Sequence, residues 1–338
     1  MLYQLMYKDE VVLEFDSATP NIHEVVNNIF LPIGIQNGMT LESWLRQRRA
    51  DKSRVSIRKL FATLKMNFGD DQYISQFRRP TDFWWVRKKG SSEIFATNIE
   101  NLHLITLNLE SVVPSSPRNF EVTNIGSYEK GWRSNYLLKS GTLDEIFSEM
   151  LYARISADYM PTARYTYEPI NDRHFVSSPN FVNQANGEYL VLADEWTGTG
   201  PEEDFSEWFE KFNHLLQAEE IEQFMHMHFL DVILNNFDRH CQNFGFVYYG
   251  GTRRNVAPNF DFNLSIIGYN GLKGLGQNEI PVASYFELFD TVPAHLKQIP
   301  NKSVLLAYMS EICSELGLDV EPYLPIADWI INRWEQLI

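Results

Sequence analysis

The sequence predicts an α+β protein in which a small β-rich lobe is followed by a mostly helical lobe, both preceded by an α+β N-terminal accessory region. Three observations predict it. Strand-like runs recur up to residue 193, and apolar residues at three- and four-residue spacing dominate from 205 onward. Between the first region and the rest, Val112-Val113-Pro114-Ser115-Ser116-Pro117-Arg118 breaks any regular element. The divisions are residues 1–116, 117–196 and 197–338. A chain of 338 residues, 44% hydrophobic and 14% aromatic, can bury a substantial core.

In the accessory region, 11–15, 83–86 and 102–109 read as strands around a helical stretch over 41–66. From residue 46 to 89 there are thirteen Lys or Arg against four Asp, whereas the whole chain carries a net charge of -15. Trp44, Trp84 and Trp85 lie near this basic stretch, and aromatic side chains among arginines can stack on bases. Core packing is the commoner use of tryptophan.

The small lobe opens with a strand over 120–125 and a polar loop, Gly126-Ser127-Tyr128-Glu129-Lys130-Gly131. A second strand over 135–140 carries Lys139. Strand, glycine-bounded loop and strand with a lysine is the order in which a lobe covers nucleotide phosphates and offers them a cation. Gly126, Ser127 and Lys139 are therefore candidates by position, since the loop is no Gly-x-Gly-x-x-Gly match. Thr142 and Glu145 form a capping box. Ile146, Glu149, Met150 and Ala153 share one helix face, so Glu149 points inward among apolar neighbours. A buried lone carboxylate is costly, and Lys139 is its economical partner. Strands over 165–168 and 188–193 flank a polar turn, Ser177-Ser178-Pro179-Asn180, and complete the lobe. The last strand turns polar at Asp194-Glu195-Trp196, the position of a hinge at which adenine would be contacted.

In the helical lobe, a loop over 197–204 precedes helices over 205–217 and 219–236. The second delivers Phe237-Asp238-Arg239-His240-Cys241-Gln242-Asn243-Phe244-Gly245-Phe246 at its C-terminal end. Strands over 244–249 and 255–260 surround a Gly250-Gly251-Thr252-Arg253 turn and lead to Ala257-Pro258-Asn259-Phe260-Asp261. A hairpin brings its ends together, so Asn243 and Asp261 can converge. Phosphoryl transfer needs such a set: one carboxylate at the acceptor hydroxyl, with an amide and a second carboxylate holding magnesium. A glycine-rich loop with Lys273 and helices over 302–316 and 326–337 follow.

Asp-Arg-His-x-x-Asn-Phe-Gly-Phe followed by Ala-Pro-x-Phe-Asp resembles the catalytic and metal-binding segments of the HipA-like serine/threonine kinases, including their CtkA-like members. The resemblance implies a two-lobed protein-kinase-like fold that uses ATP and Mg2+. Asp238 is then the catalytic base, Asn243 and Asp261 the magnesium ligands, Lys139 the phosphate-binding cation and Glu149 its partner. His240, inside the loop, either packs under it and bonds its backbone or joins the catalytic set. Phe262-Asn263 departs from the glycine that many kinases carry after the metal-binding Asp. The implied substrate is a Ser or Thr of a protein. The family includes toxins of toxin-antitoxin pairs, so an antitoxin or regulatory protein is the implied partner.

The acidic balance argues against nucleic acid or anionic membrane as a general partner, the 46–89 stretch excepted. Cys241 and Cys313 alone make neither a disulfide framework nor a zinc cluster and fit a reducing cytoplasmic setting. His226 and His228 are two apart on a helix and diverge, which argues against a zinc pair between them. Charge interrupts the N-terminal residues before a signal-peptide core, and no run reaches membrane-spanning length. Three other readings stay open: a pseudokinase that binds ATP to regulate a partner, a lipid kinase, and a nucleic-acid-binding regulator built on 46–89.

Overall fold

The structure, a computed structural model, describes residues 2–16, 20–48, 79–95, 130–133, 135–170, 173–199, 204–262, 265–266 and 279–338. The helix beyond 48, the strands over 102–109 and 120–125, the 112–118 linker, Gly126, Ser127 and the Lys273 loop lie outside these residues.

Runs of consecutive buried residues in β1 (Leu2–Tyr7), β2 (Glu10–Asp16) and β4 (Trp84–Lys88), with the exposed β3 (Ile22–Val25), build a four-stranded antiparallel sheet at the N-terminus in the order β3-β2-β1-β4. Helices α1 (Ile33–Gln36) and α2 (Leu41–Gln47) accompany it. Trp44, Trp84 and Trp85 are all buried, so none is exposed as a stacking platform for bases. Arg48 is likewise enclosed, with paired 2.7 Å bonds to Asp82. Among the described residues of the basic stretch, packing and internal pairing account for these side chains.

A second antiparallel sheet, order β5-β6-β8-β7, comprises β5 (Lys130–Arg133), β6 (Tyr136–Ser140), β7 (Thr166–Ile170) and β8 (Arg173–Pro179). Ser177 to Pro179, expected as a turn, continue β8 because they pair with β6 and Ser177 also pairs with β7. Between β6 and β7 runs α3 (Leu143–Ala157), opened by the Thr142/Glu145 capping box.

The third sheet corrects the expected assignment of a strand. β9 (Glu188–Leu192) does not add to the sheet that carries Lys139 but pairs antiparallel with β10 (Gly245–Tyr249), which pairs in turn with β11 (Thr252–Val256). Gly245 permits this, since a Cβ there would collide with the Val191 carbonyl oxygen. The hairpin turn is two residues rather than four. Gly250 and Gly251 both take positive φ, 56° and 80°, as a tight two-residue turn requires, and β11 accordingly starts and ends earlier than expected.

The remaining elements are helical: α4 (Ala193–Thr197), α5 (Phe205–Phe212), α6 (Ala218–Ile233), α7 (Lys302–Leu316) and α8 (Pro325–Leu337). Both α5 and α6 stop short of their expected ends. Past α6, Asn235 adopts φ 57° and turns the chain, so Asp238 sits in a loop beyond the helix rather than on its last turn. Trp208 and Trp334 are fully buried among these helices, within a core that also includes residues of the first two sheets. No helix among the described residues is long and apolar enough to cross a membrane.

Candidate active site

The site is built around a buried lysine. Lys139 lies on β6, an inner strand of its sheet, is 4% exposed, and its Nζ donates to Glu149 Oε1 at 2.8 Å and to Asp261 Oδ1 at 2.5 Å. Burial acts to lower the lysine pKa, but the two carboxylates outweigh it and hold the ammonium form above its ordinary range. Glu149 is 1% exposed, and burial pushes its carboxyl up against the pull of Lys139. Glu145 is occupied at the helix start, where its carboxylate accepts from Thr142 N at 2.7 Å. The inward face of α3, rather than its first turn, supplies the partner of Lys139.

Asp261 is held in the left-handed region, φ 66°, which costs a non-glycine residue roughly 1–3 kcal/mol and persists only where its surroundings enforce it. They do: its N–H donates to Tyr165 Oη at 3.1 Å, and Phe262 is buried and stacked on Tyr152 at 4.1 Å. Asn263 lies outside the described residues.

The Asp238–Asn243 loop is pinned from beneath by groups not anticipated from the sequence. Arg239 forms a two-point ion pair with Asp231 of α6, at 2.8 and 3.0 Å. The same guanidinium donates to the carbonyl oxygens of Asn243 at 2.6 Å and Phe260 at 2.9 Å, and to Asn259 Oδ1 at 2.9 Å. One side chain thus ties the loop to the residue preceding Asp261. Asp231 also accepts from Tyr152 and Asn236. His240 Nδ1 accepts from Gln242 N at 3.3 Å, a bond to the loop's own backbone, while its Nε2 stands 3.9 Å from Asp238 Oδ1.

Lys139, Asp238, His240, Asn243 and Asp261 line one cavity of about 160 Å³. Its other walls are apolar: Leu137 from the lysine-bearing sheet, Leu190 and Leu192 from the third sheet, and Ala163 and Phe260 from the connecting segments. Asn243 Nδ2 donates to the Asp238 carbonyl at 2.6 Å, which leaves its Oδ1 as the atom to offer a cation. Asn243 and Asp261 both line the cavity, and an amide oxygen and a carboxylate are donors suited to a hard divalent ion such as Mg2+.

Asp194, Glu195 and Trp196 are not among the cavity's lining residues. They form α4, where Asp194 and Glu195 are buried: Asp194 accepts from Gln242 Nε2 at 3.0 Å and Glu195 from Arg79 at 2.9 Å. Trp196 packs on Trp208 and Phe246. Of the side chains at the expected hinge, Asp194 therefore braces the loop from behind, and Leu190 and Leu192 of the preceding strand line the cavity instead. Burial, with Glu195 beside it, pushes the Asp194 carboxyl up to about 7. Because the folded-state value exceeds the ordinary 3.8, the folded chain holds this proton more tightly. Its contribution to stability is full below that ordinary value and is lost as pH rises through about 7. Asp194→Asn is accordingly expected to flatten the fall in melting temperature between acid and neutral pH and to melt above the parent at pH values over about 7. Calorimetric melts of the two proteins across that range provide the check.

His226 and His228 diverge on α6 as their spacing predicts, and burial pushes both imidazoles down to about 4.

No family model matches the chain, and no curated protein matches it. Among solved structures, a HipA chain from the Shewanella oneidensis MR-1 toxin-antitoxin complex of HipA, HipB and operator DNA superposes with a TM-score of 0.56 at 12% identity, over 99% of this chain and 97% of that one. The Helicobacter pylori proinflammatory kinase CtkA matches over 64% of this chain and 89% of its own, with a TM-score of 0.41 at 17% identity. At the level of fold, over nearly its whole length, the chain is HipA-like.

Proposed function

We propose that the chain is a HipA-like serine/threonine kinase, organised as a small lobe and a helical lobe, that transfers the γ-phosphoryl group of ATP to a hydroxyl of a protein. One observation carries the reading: Lys139, ion-paired with Glu149 and Asp261, lines the same cavity as Asp238 and Asn243. ATP bound with Mg2+ supplies the transferable group and the cation that offsets its charge. Lys139 holds the phosphates, and Glu149 keeps its ammonium in place. Asn243 Oδ1 and the Asp261 carboxylate hold the metal, while Asp238 orients the acceptor hydroxyl and takes its proton. The apolar walls at Leu137, Ala163, Leu190 and Leu192 accept the base. Positioning and fixed charge do most of this work.

The likeness to HipA extends the proposal to a toxin-type or regulatory role in the cytoplasm with an antitoxin-like protein partner. The purified protein, incubated with labelled ATP, Mg2+ and a cell lysate, is expected to label protein Ser or Thr, identified by mass spectrometry, and to stop when Mg2+ is chelated. Nucleotide binding without transfer to any protein, itself included, would overturn the kinase reading in favour of an ATP-binding regulator.

A further inference from the structure

A second cluster of chemically capable side chains lies in the C-terminal half, away from the cavity that Lys139 lines. Glu222 and His226 are four residues apart on α6 and share a face. His295 reaches them from the short helical turn Ala294–Lys297. One ligand atom from each of the three lies within 4.8 Å of the others. His226 Nε2 stands 3.8 Å from Glu222 Oε1, and the two imidazoles meet edge to face with centroids 4.3 Å apart. His226 is 7% exposed, and its Nε2 is buried with no hydrogen-bond partner among the described residues. Leaving such a nitrogen unsatisfied costs about 1–3 kcal/mol, which apolar packing does not explain.

We propose that Glu222, His226 and His295 form a binding site for a divalent transition-metal ion, with Zn2+ the best fit. Two borderline imidazoles with one carboxylate are a donor set that suits zinc or cobalt, whereas Mg2+ takes oxygen donors alone. Zinc bonds of about 2.0–2.2 Å set tetrahedral ligand atoms roughly 3.3 Å apart. The observed spread closes by rotating the exposed Glu222 and His295 side chains. The backbone is already fixed: Leu296, beside His295, is fully buried, and its carbonyl accepts from Trp334 Nε1 at 2.7 Å. A bound ion clips α6, which leads into the Asp238 loop, to the chain that returns after Asp261. Binding to the folded state alone then raises its stability.

The test uses metal-free full-length protein in Mg2+-free buffer, titrated with Zn2+ by calorimetry and followed by thermal melting. Co2+ is the spectroscopic probe. The expected result is one equivalent bound, a higher melting temperature and the visible spectrum of tetrahedral Co2+. His295→Ala changes an exposed side chain and keeps the fold. It should weaken zinc binding by more than the roughly 10–100-fold that loss of an outer-shell partner costs. Glu222→Gln should weaken it in the same direction. Stoichiometric zinc uptake that both variants leave at parental affinity, or no stoichiometric uptake by the parent, would overturn the site. Neither outcome bears on phosphoryl transfer, because the three residues lie outside the cavity that serves it.

Discussion

Asp238→Asn should slow phosphoryl transfer by about 10²–10⁴-fold while leaving ATP affinity essentially unchanged. The separation follows from where the carboxylate sits. Its side chain is 39% exposed and lines the cavity, outside the Lys139–Glu149–Asp261 cluster that would grip the nucleotide. The backbone geometry does not depend on its charge, because the loop is tied through the Asp238 carbonyl to Asn243 and through Arg239 to Asp231. Amide for carboxylate therefore removes the proton acceptor while these backbone ties stay in place. Single-turnover transfer rates and a fluorescent-nucleotide titration on the same preparation check both halves. A variant that transfers phosphate at the parent rate would remove Asp238 from the role of base. One that fails to bind ATP would place it in nucleotide binding instead.

Much of this arrangement is legible in the sequence, for local reasons. Helical periodicity points Glu149 inward, and the cost of burying a carboxylate alone demands a cation, which Lys139 provides at 2.8 Å. The capping box reads correctly because it depends only on four consecutive residues. The same rule, applied to α6, finds what the apolar pattern alone passes over. Asp231 falls four residues after Met227 and three before Leu234, both buried, and is itself 2% exposed. A carboxylate on that face signals a buried partner as clearly as Glu149 does, and Arg239 is the cation within reach. Strand pairing is another matter. Nothing within 188–192 states whether it joins the sheet of Lys139 or that of Gly245, because a short apolar run does not encode which strand it pairs with. The choice rests on a long-range fact, the absence of a Cβ at Gly245, which lets one backbone come close to the other. The side chains of Asp194 and Glu195 escape a local reading too, since their partners Gln242 and Arg79 are distant in sequence.

Removing Arg239 is expected to have the largest effect on stability. Arg239→Met keeps much of the side-chain volume but leaves Asp231 buried without its cation, a change that costs about 3–5 kcal/mol in comparable buried pairs. It also withdraws donors from the Asn243 and Phe260 carbonyls and from Asn259 Oδ1. Any one of these is a net contribution of about 1 kcal/mol, so the stranded charge dominates. Two measurements distinguish the ion pair from general packing. Urea unfolding should show the full loss in the single variant and partial recovery in the double variant Arg239→Met/Asp231→Leu, where no charge is left buried. Arg239→Lys should fall between, because an ammonium restores the charge but not the planar fork that spans Asp231 and both carbonyls. A loss below about 1 kcal/mol in Arg239→Met would mean that water reaches Asp231 and that the loop is held by other contacts. If the loss is large and Arg239→Lys restores stability without restoring transfer, then the guanidinium's second task stands apart from the first. It sets the spacing between the loop that carries Asp238 and the segment past β11 that carries Asp261, and a misplacement of about 1 Å at a reacting pair can cost about 10²-fold in rate.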